Sequence, residues 1–177
     1  NVSLSSGELQ EKVQNWFDRI LNIRIYPELY NGKNVTFKLK ANKNRLLINE
    51  GLGTQQMLHM FIPIALAEEL DTITIEEPEI HLHPGTQAEL MKLFLKVKKE
   101  ENKQFILSTH SEHIIYPLLS AISAGNISNN EVGIFYFHKD EKGVEVKKLD
   151  IDDKGRVRGG LPGFFEQELE EMRGFLE

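Results

Sequence analysis

Two adjacent carboxylates, Glu76 and Glu77, close a short β-branched run in the segment Asp71-Thr-Ile-Thr-Ile-Glu76-Glu77-Pro78-Glu79-Ile-His81-Leu-His83-Pro84. Acids paired in this way can hold a divalent cation and orient a water molecule, two of the parts that phosphoryl transfer to water requires. A third part is a donor for the transferred phosphoryl group, and the loop Ser108-Thr109-His110-Ser111 is a further strand-to-helix junction that could help supply such parts. Phosphate also needs a seat. Gly51, Gly53, Thr54 and Gln55 lie in Asn49-Glu-Gly51-Leu-Gly53-Thr54-Gln55-Gln56, just before an amphipathic segment. A helix N-terminus behind glycines presents free N–H groups and the positive end of its dipole to an anion. A rival chemistry uses some of the same residues. His81-x-His83 places two imidazoles on one side of an extended stretch, and His110 and His113 could join them around zinc. The plainest reading of Glu76-Glu77 is a pair of solvated acids in a loop after a strand.

Such residues are useful only if the elements around them converge. Thr72 to Ile75 is an apolar, β-branched run that suits a strand buried on both faces, with the acids at its carboxyl end. Successive strand residues point to opposite sides, so Glu76 and Glu77 should aim differently. Gln104 to Ser108 is a second buried strand, ending at His110. Consecutive parallel strands usually lie side by side, so both strand ends should meet at one sheet edge, where open α/β sheets bind ligands.

The flanking helices are legible from their caps and periodicity. Ser5-Ser-Gly-Glu8 has capping-box spacing and opens a helix from about Gly7 to Leu21, with Trp16 as a core anchor. Pro27 and Asn31-Gly32 end that stretch. Val35, Phe37 and Leu39 then alternate with polar residues as a strand, and Leu46 to Ile48 is its hairpin partner. Met57, Leu58, Phe61, Ile62, Ala65 and Leu66 give the next helix its apolar face, with Pro63 expected to kink it. Thr86-Gln-Ala-Glu89 reads as a second capping box, opening a helix whose buried stripe is Leu90, Leu93, Phe94 and Val97. Its lysines, Lys92, Lys96, Lys99 and Lys103, read as a solvated face. Ser111 caps the following helix, Val132 to Phe137 and Val144 to Leu149 form a hairpin, and a last helix starts near Phe164. His59, His113 and His138 read as surface or packing histidines.

Composition narrows the rest. The 177 residues are 40% hydrophobic and 27% charged, enough for a real core in one domain with an appendage. A net charge of -6 argues against non-specific binding of a phosphate backbone. With no cysteine, disulfides and thiolate metal sites are excluded. No apolar run reaches membrane-spanning length and no signal peptide is evident, so the expected setting is soluble and cytoplasmic. The sequence opens on Asn1, as a fragment of something longer would.

Four motifs, in order from Glu50 to Phe165, resemble the C-terminal half of an ABC-type ATPase head, of the kind found in SMC, Rad50, RecF and OLD proteins. They are the glycine signature, Ile75-Glu-Glu-Pro-Glu-Ile-His-Leu-His-Pro84, Ser108-Thr-His-Ser-Glu-His113 and Gly163-Phe-Phe165. In wording the chain is most similar to the uncharacterised predicted ATPases allied to OLD. The resemblance implies an α/β fold: a largely parallel sheet with flanking helices, the C-terminal lobe of a P-loop NTPase, preceded by a small helix-plus-hairpin part. It divides the chain into residues 1–50, a lobe over 51–150, and a glycine-rich loop with a terminal helix over 151–177. It implies ATP and Mg²⁺ as cofactors. Glu76 would take the Mg²⁺-linked position of Walker B, and Glu77 the water-orienting position. Glu79 to Pro84 would be the D-loop along a head–head dimer interface. His110 would contact the γ-phosphate, and Gly51, Gly53, Thr54 and Gln55 would complete a partner head's nucleotide site in trans. Glu76 departs from the Asp usual in ABC proteins, and Glu50 stands where the signature usually has serine.

One motif is missing. A phosphate-cradling loop needs Gly-x4-Gly-Lys-Ser/Thr, and the only Gly-Lys is Gly32-Lys33, followed by Asn34. The chain is therefore expected not to hydrolyse ATP alone, to need a Walker A-bearing N-terminal half in the same or a separate chain, and to leave a gap in its sheet. A non-catalytic dimerisation or docking module with a degenerate ATPase fold remains an alternative, as does the zinc site. Relatives of this kind work on DNA or carry nucleases, so DNA enters only by fold-level analogy.

Overall fold

The structure, a computed structural model, describes residues 5–30, 34–40, 44–141 and 143–160. The chain divides into two compact units, Asn1–Ile114 and Ile115–Glu177.

The first unit opens with α1, Ser6–Leu21, and its start is the predicted capping box: Glu8 and Ser5 bond reciprocally, and Asn22 ends the helix in a left-handed conformation. Three antiparallel strands follow in the order β1 (Ile25–Tyr30), β2 (Asn34–Lys40) and β3 (Asn44–Leu46). Strand β1 was not expected, because Pro27 reads as a breaker. Its position explains it: β1 is an edge strand, where a residue without an N–H is tolerated. The predicted strand over Leu46 to Ile48 is instead the end of β3 running into a 3-10 turn over Leu47–Asn49.

Helix α2, Leu52–Leu66, runs through Pro63 and buries Met57, Leu58, Phe61, Ile64 and Ala65. Trp16 and Phe17 of α1 meet Phe61 edge-on, at ring separations of 5.5 and 5.0 Å, so Trp16 is the anchor its sequence context suggested. Helix α3, Pro84–Glu101, begins differently from expectation. His83 is its N-cap and Pro84 its first residue, while Glu89 pairs with Lys92 rather than closing a capping box. Proline at the first position wins because its fixed φ suits the helix and its missing N–H would be unbonded there anyway.

Strands β4 (Thr72–Glu76) and β5 (Gln104–Ser108) pair in parallel from Thr72↔Gln104 to Glu76↔Ser108. Phe94 of α3 stacks on Phe105 at 5.0 Å and helps cover one face of the pair. The other face carries Thr72, Thr74, Gln104 and Ile106, all exposed, with Ile106 52% accessible. This corrects the expectation of burial on both faces. An apolar β-branched run reports that a strand belongs in a sheet interior, but not whether the same unit supplies both covering layers. Each strand also keeps one edge without a partner among the described strands.

The second unit holds most of α4 (Glu112–Ser123), a 3-10 turn capped by Ser128, and the hairpin β6 (Phe135–Asp140) and β7 (Gly143–Lys148). Ile115 and Leu149 centre its core. The loop after β7 closes by an Ile151–Val157 bridge around Asp152, whose Oδ1 accepts from the N–H groups of Lys154 and Arg156. The expected helix from Phe164, and the Gly163-Phe-Phe165 motif, lie outside the described residues. No described helix is long and apolar enough to cross a membrane.

Candidate functional site

The parallel ladder brings Glu76, Glu77 and His110 to one sheet edge. Glu76 is the last residue of β4 and is exposed, in register with Ser108. The ladder gains one more bond beyond it, from Glu77 N–H to the Ser108 carbonyl at 2.8 Å. There the chain turns sharply. Glu77 has φ of 44° and His81 φ of 60°, both in the left-handed region that costs a non-glycine residue on the order of 1–2 kcal/mol. Glu77 Oε1 lies 3.8 Å from Nε2 of His110, an imidazole that is 88% exposed. Two groups suited to a water and a phosphoryl oxygen thus face solvent together.

Why the turn holds is visible in its partners. Gln56, on α2, donates from Nε2 to the Glu77 carbonyl at 3.3 Å. Gln87, on α3, donates to the carbonyls of Glu79 and Leu82 and accepts from the Ser111 hydroxyl. Glu79 is buried, and its Oε1 accepts from the Thr109 hydroxyl at 2.7 Å and from the His110 N–H at 2.8 Å. Ser111 caps α4 as expected, its hydroxyl accepting from His113 N–H at 3.1 Å. Gln56, Gln87, Thr109 and the inward role of Glu79 escaped the sequence reading. The only signal for them was the acid Glu79 itself, which the resemblance assigned to a D-loop without a bonding partner.

The glycine loop is adjacent. Gly51 is the N-cap of α2, and the Gln55 side-chain amide donates to the carbonyls of Ile48 and Glu50, tying the loop to itself. Gly53 is buried, and a Cβ there would stand 2.5 Å from the His81 carbonyl oxygen and 2.9 Å from Leu82 Cδ2. Its absence of a side chain is thus required by the turn after β4, independently of any ligand. Replacing Gly53 with alanine should destabilise the chain by about 1–3 kcal/mol in urea unfolding. The gain of about 1 kcal/mol in helix propensity cannot offset a clash with backbone. Gly51→Ala, whose Cβ meets open space, should cost less.

The histidines do not gather. His83 caps α3 through Nδ1, His81 is exposed, and His113 lies 3.2 Å from Glu112. Among the described residues no three His, Asp or Glu side chains are placed to share a metal ion, so the zinc reading has no ligand set there.

Comparison with known proteins bears on the family and the fold. The family model described as an AAA ATPase domain matches residues 2–115, and one described only as a protein of unknown function, DUF3696, matches residues 127–174. The lipoprotein-releasing system ATP-binding protein LolD of Rickettsia bellii is 31% identical over 113 residues, 56% of this chain and 49% of that protein. The OLD nuclease of Thermus scotoductus is 39% identical over 64 residues, 34% of this chain and 12% of that protein. The chain thus spans about half the length, or less, of these curated relatives. A solved structure described as "Structural biochemistry of ATP-driven dimerization and DNA stimulated activation of SMC ATPases" superposes with a TM-score of 0.61. That match is 15% identical and covers 93% of this chain and 91% of that one, a likeness of fold.

Proposed function

Since the chain belongs to the AAA ATPase domain family through residues 2–115, with the ABC-type, OLD-related fold of an SMC head, we propose that it forms part of a head that binds and hydrolyses ATP with Mg²⁺. The observation that carries this reading is the approach of Glu77 and His110, 3.8 Å apart at the carboxyl end of the β4–β5 ladder. The residues present fit half of a nucleotide site: two carboxylates and an exposed imidazole, without a phosphate-cradling loop in the sequence. Glu76 would hold the cation, Glu77 would orient the attacking water, and His110 would donate toward the γ-phosphate. Mg²⁺, when bound, supplies neutralisation of phosphate charge.

The loop of Gly51, Gly53, Thr54 and Gln55 would meet the nucleotide of a second head, making a homodimer the working assembly. The Walker A-bearing half would pack where the sheet is open. The exposed face with Ile106, and the unpaired edges among the described strands, support that placement. Such an ATPase would work in the cytoplasm. DNA enters only by analogy with the SMC structure, whose description names DNA-stimulated activation.

The test compares the 177-residue chain alone with the same chain joined to its Walker A-bearing half. Calorimetry with Mg-ATP and a phosphate-release assay should report binding and turnover in the joined form only. Turnover by the chain alone, or no binding by the joined form, overturns the reading.

A further inference from the structure

Glu79 is the buried acid that the proposed chemistry leaves without a task. It is 9% exposed, its Oε1 accepts from Thr109 Oγ1 and His110 N–H, and its Oε2 is buried with no hydrogen-bond partner among the described residues. Desolvating a carboxylate is costly, and two donors on one oxygen recover only part of that cost. A residue that destabilises by its own burial is informative for what it positions. What it joins is specific: the turn that begins at Glu77 and the loop that presents His110. Gln87 joins the same two segments independently, bonding the carbonyls of Glu79 and Leu82 with one end and Ser111 with the other. The two ties lie on either side of His110, at residues 109–110 and at residue 111.

We infer that Glu79 is a positioning residue: it locks the His110 loop to the turn after Glu77, with Gln87 as the second tie, and so sets the Glu77–His110 separation. Displacement of the turn then moves His110 with it. The link makes the turn a lever on the histidine, since beyond the last ladder bond, from Glu77 N–H to Ser108, the turn and the His110 loop are joined by these side chains. The consequence for turnover rests on the ATPase reading; the mechanical link does not.

Two measurements separate these. In the 177-residue chain, Glu79→Ala should speed amide hydrogen exchange at His110 by about tenfold or more, while Ile75 and Leu107 in the ladder stay unchanged. Glu79→Gln keeps an acceptor oxygen and should stay within about threefold of the parent. Should Glu79→Ala fail to fold, Thr109→Val removes one donor only and should release His110 in part. Unchanged exchange at His110 in Glu79→Ala and Thr109→Val, or an equal rise throughout β4 and β5, overturns the link. In the form joined to its Walker A half, Glu79→Ala should lower kcat by about tenfold or more at unchanged KM, with Glu79→Gln restoring it. A parallel rise in KM, or no change in kcat, overturns the catalytic consequence. Absence of turnover in the parent overturns the ATPase reading and that consequence together, leaving the exchange result to decide the link.

Discussion

Replacing Glu77 with glutamine is expected to lower ATP turnover by about 10²–10⁴-fold in the chain joined to its Walker A-bearing half, the range lost when a positioned acid–base group is removed. The structure makes this a clean substitution. The bonds that shape the turn at residue 77 use its backbone, from Glu77 N–H to Ser108 and from Gln56 to the Glu77 carbonyl. Glutamine preserves both and has the same shape, so only the charge facing His110 is lost. Nucleotide affinity should therefore stay within a few-fold, because water orientation is needed in the transition state and not for binding. Loss of affinity with unchanged turnover at saturation would assign Glu77 to binding instead. Turnover equal to the parent would remove Glu77 from the chemistry altogether.

How far the sequence reading reached depends on whether the determinant was local. The Ser5–Glu8 capping box and the Ser111 cap are encoded within a few residues of where they act, and both were legible. The parallel pairing of β4 with β5 joins Thr72 to Gln104 and was legible for another reason, since consecutive parallel strands usually lie side by side. Pro27 misled because proline forbids a central strand but not an edge strand, and edges are a property of the whole sheet. His83 misled because imidazole is an unusual cap and Thr86-x-x-Glu89 offered the usual one nearby. Lys103 was placed on a solvated face by extending the α3 periodicity, yet α3 ends at Glu101 and Asn102 turns left-handed, folding Lys103 inward. At the site, Glu76, Glu77 and His110 could be named because strand ends converge by rule. The ties from Gln56, Glu79 and Gln87 could not, since each joins separate elements and depends on side-chain direction.

That buried lysine yields the largest expected effect on stability. Glu101→Ala should destabilise the first unit by about 3 kcal/mol or more, the cost of leaving a buried charge without its partner. Lys103 is 2% exposed at its side chain and reaches Glu101 Oε2 at 2.6 Å; its other acceptor is the Ile64 carbonyl at 2.9 Å. Lys12 reaches the same oxygen at 2.6 Å while lying over the Trp16 ring, so one carboxylate serves two cations. The opposing effects are smaller. Removing an acid from the C-terminal turn of α3 relieves an unfavourable dipole interaction worth roughly 0.3–1 kcal/mol, and alanine adds a few tenths in propensity. Burial pushes the Glu101 carboxyl up, but the hydrogen bonds and charges of Lys103 and Lys12 outweigh it and hold the group below its ordinary value of 4.5. A depressed folded pKa contributes stability that is complete above 4.5 and fades as pH falls through the folded value. In urea unfolding the gap between parent and Glu101→Ala should therefore be widest at neutral pH and narrow below 4.5. Lys103→Met supplies the contrast: it removes the buried charge itself and leaves Glu101 paired with Lys12, so it should cost less than Glu101→Ala. A larger loss for Lys103→Met, or a gap that does not depend on pH, would mean that packing of the lysine stem, and not the charge, holds this end of α3 to α2.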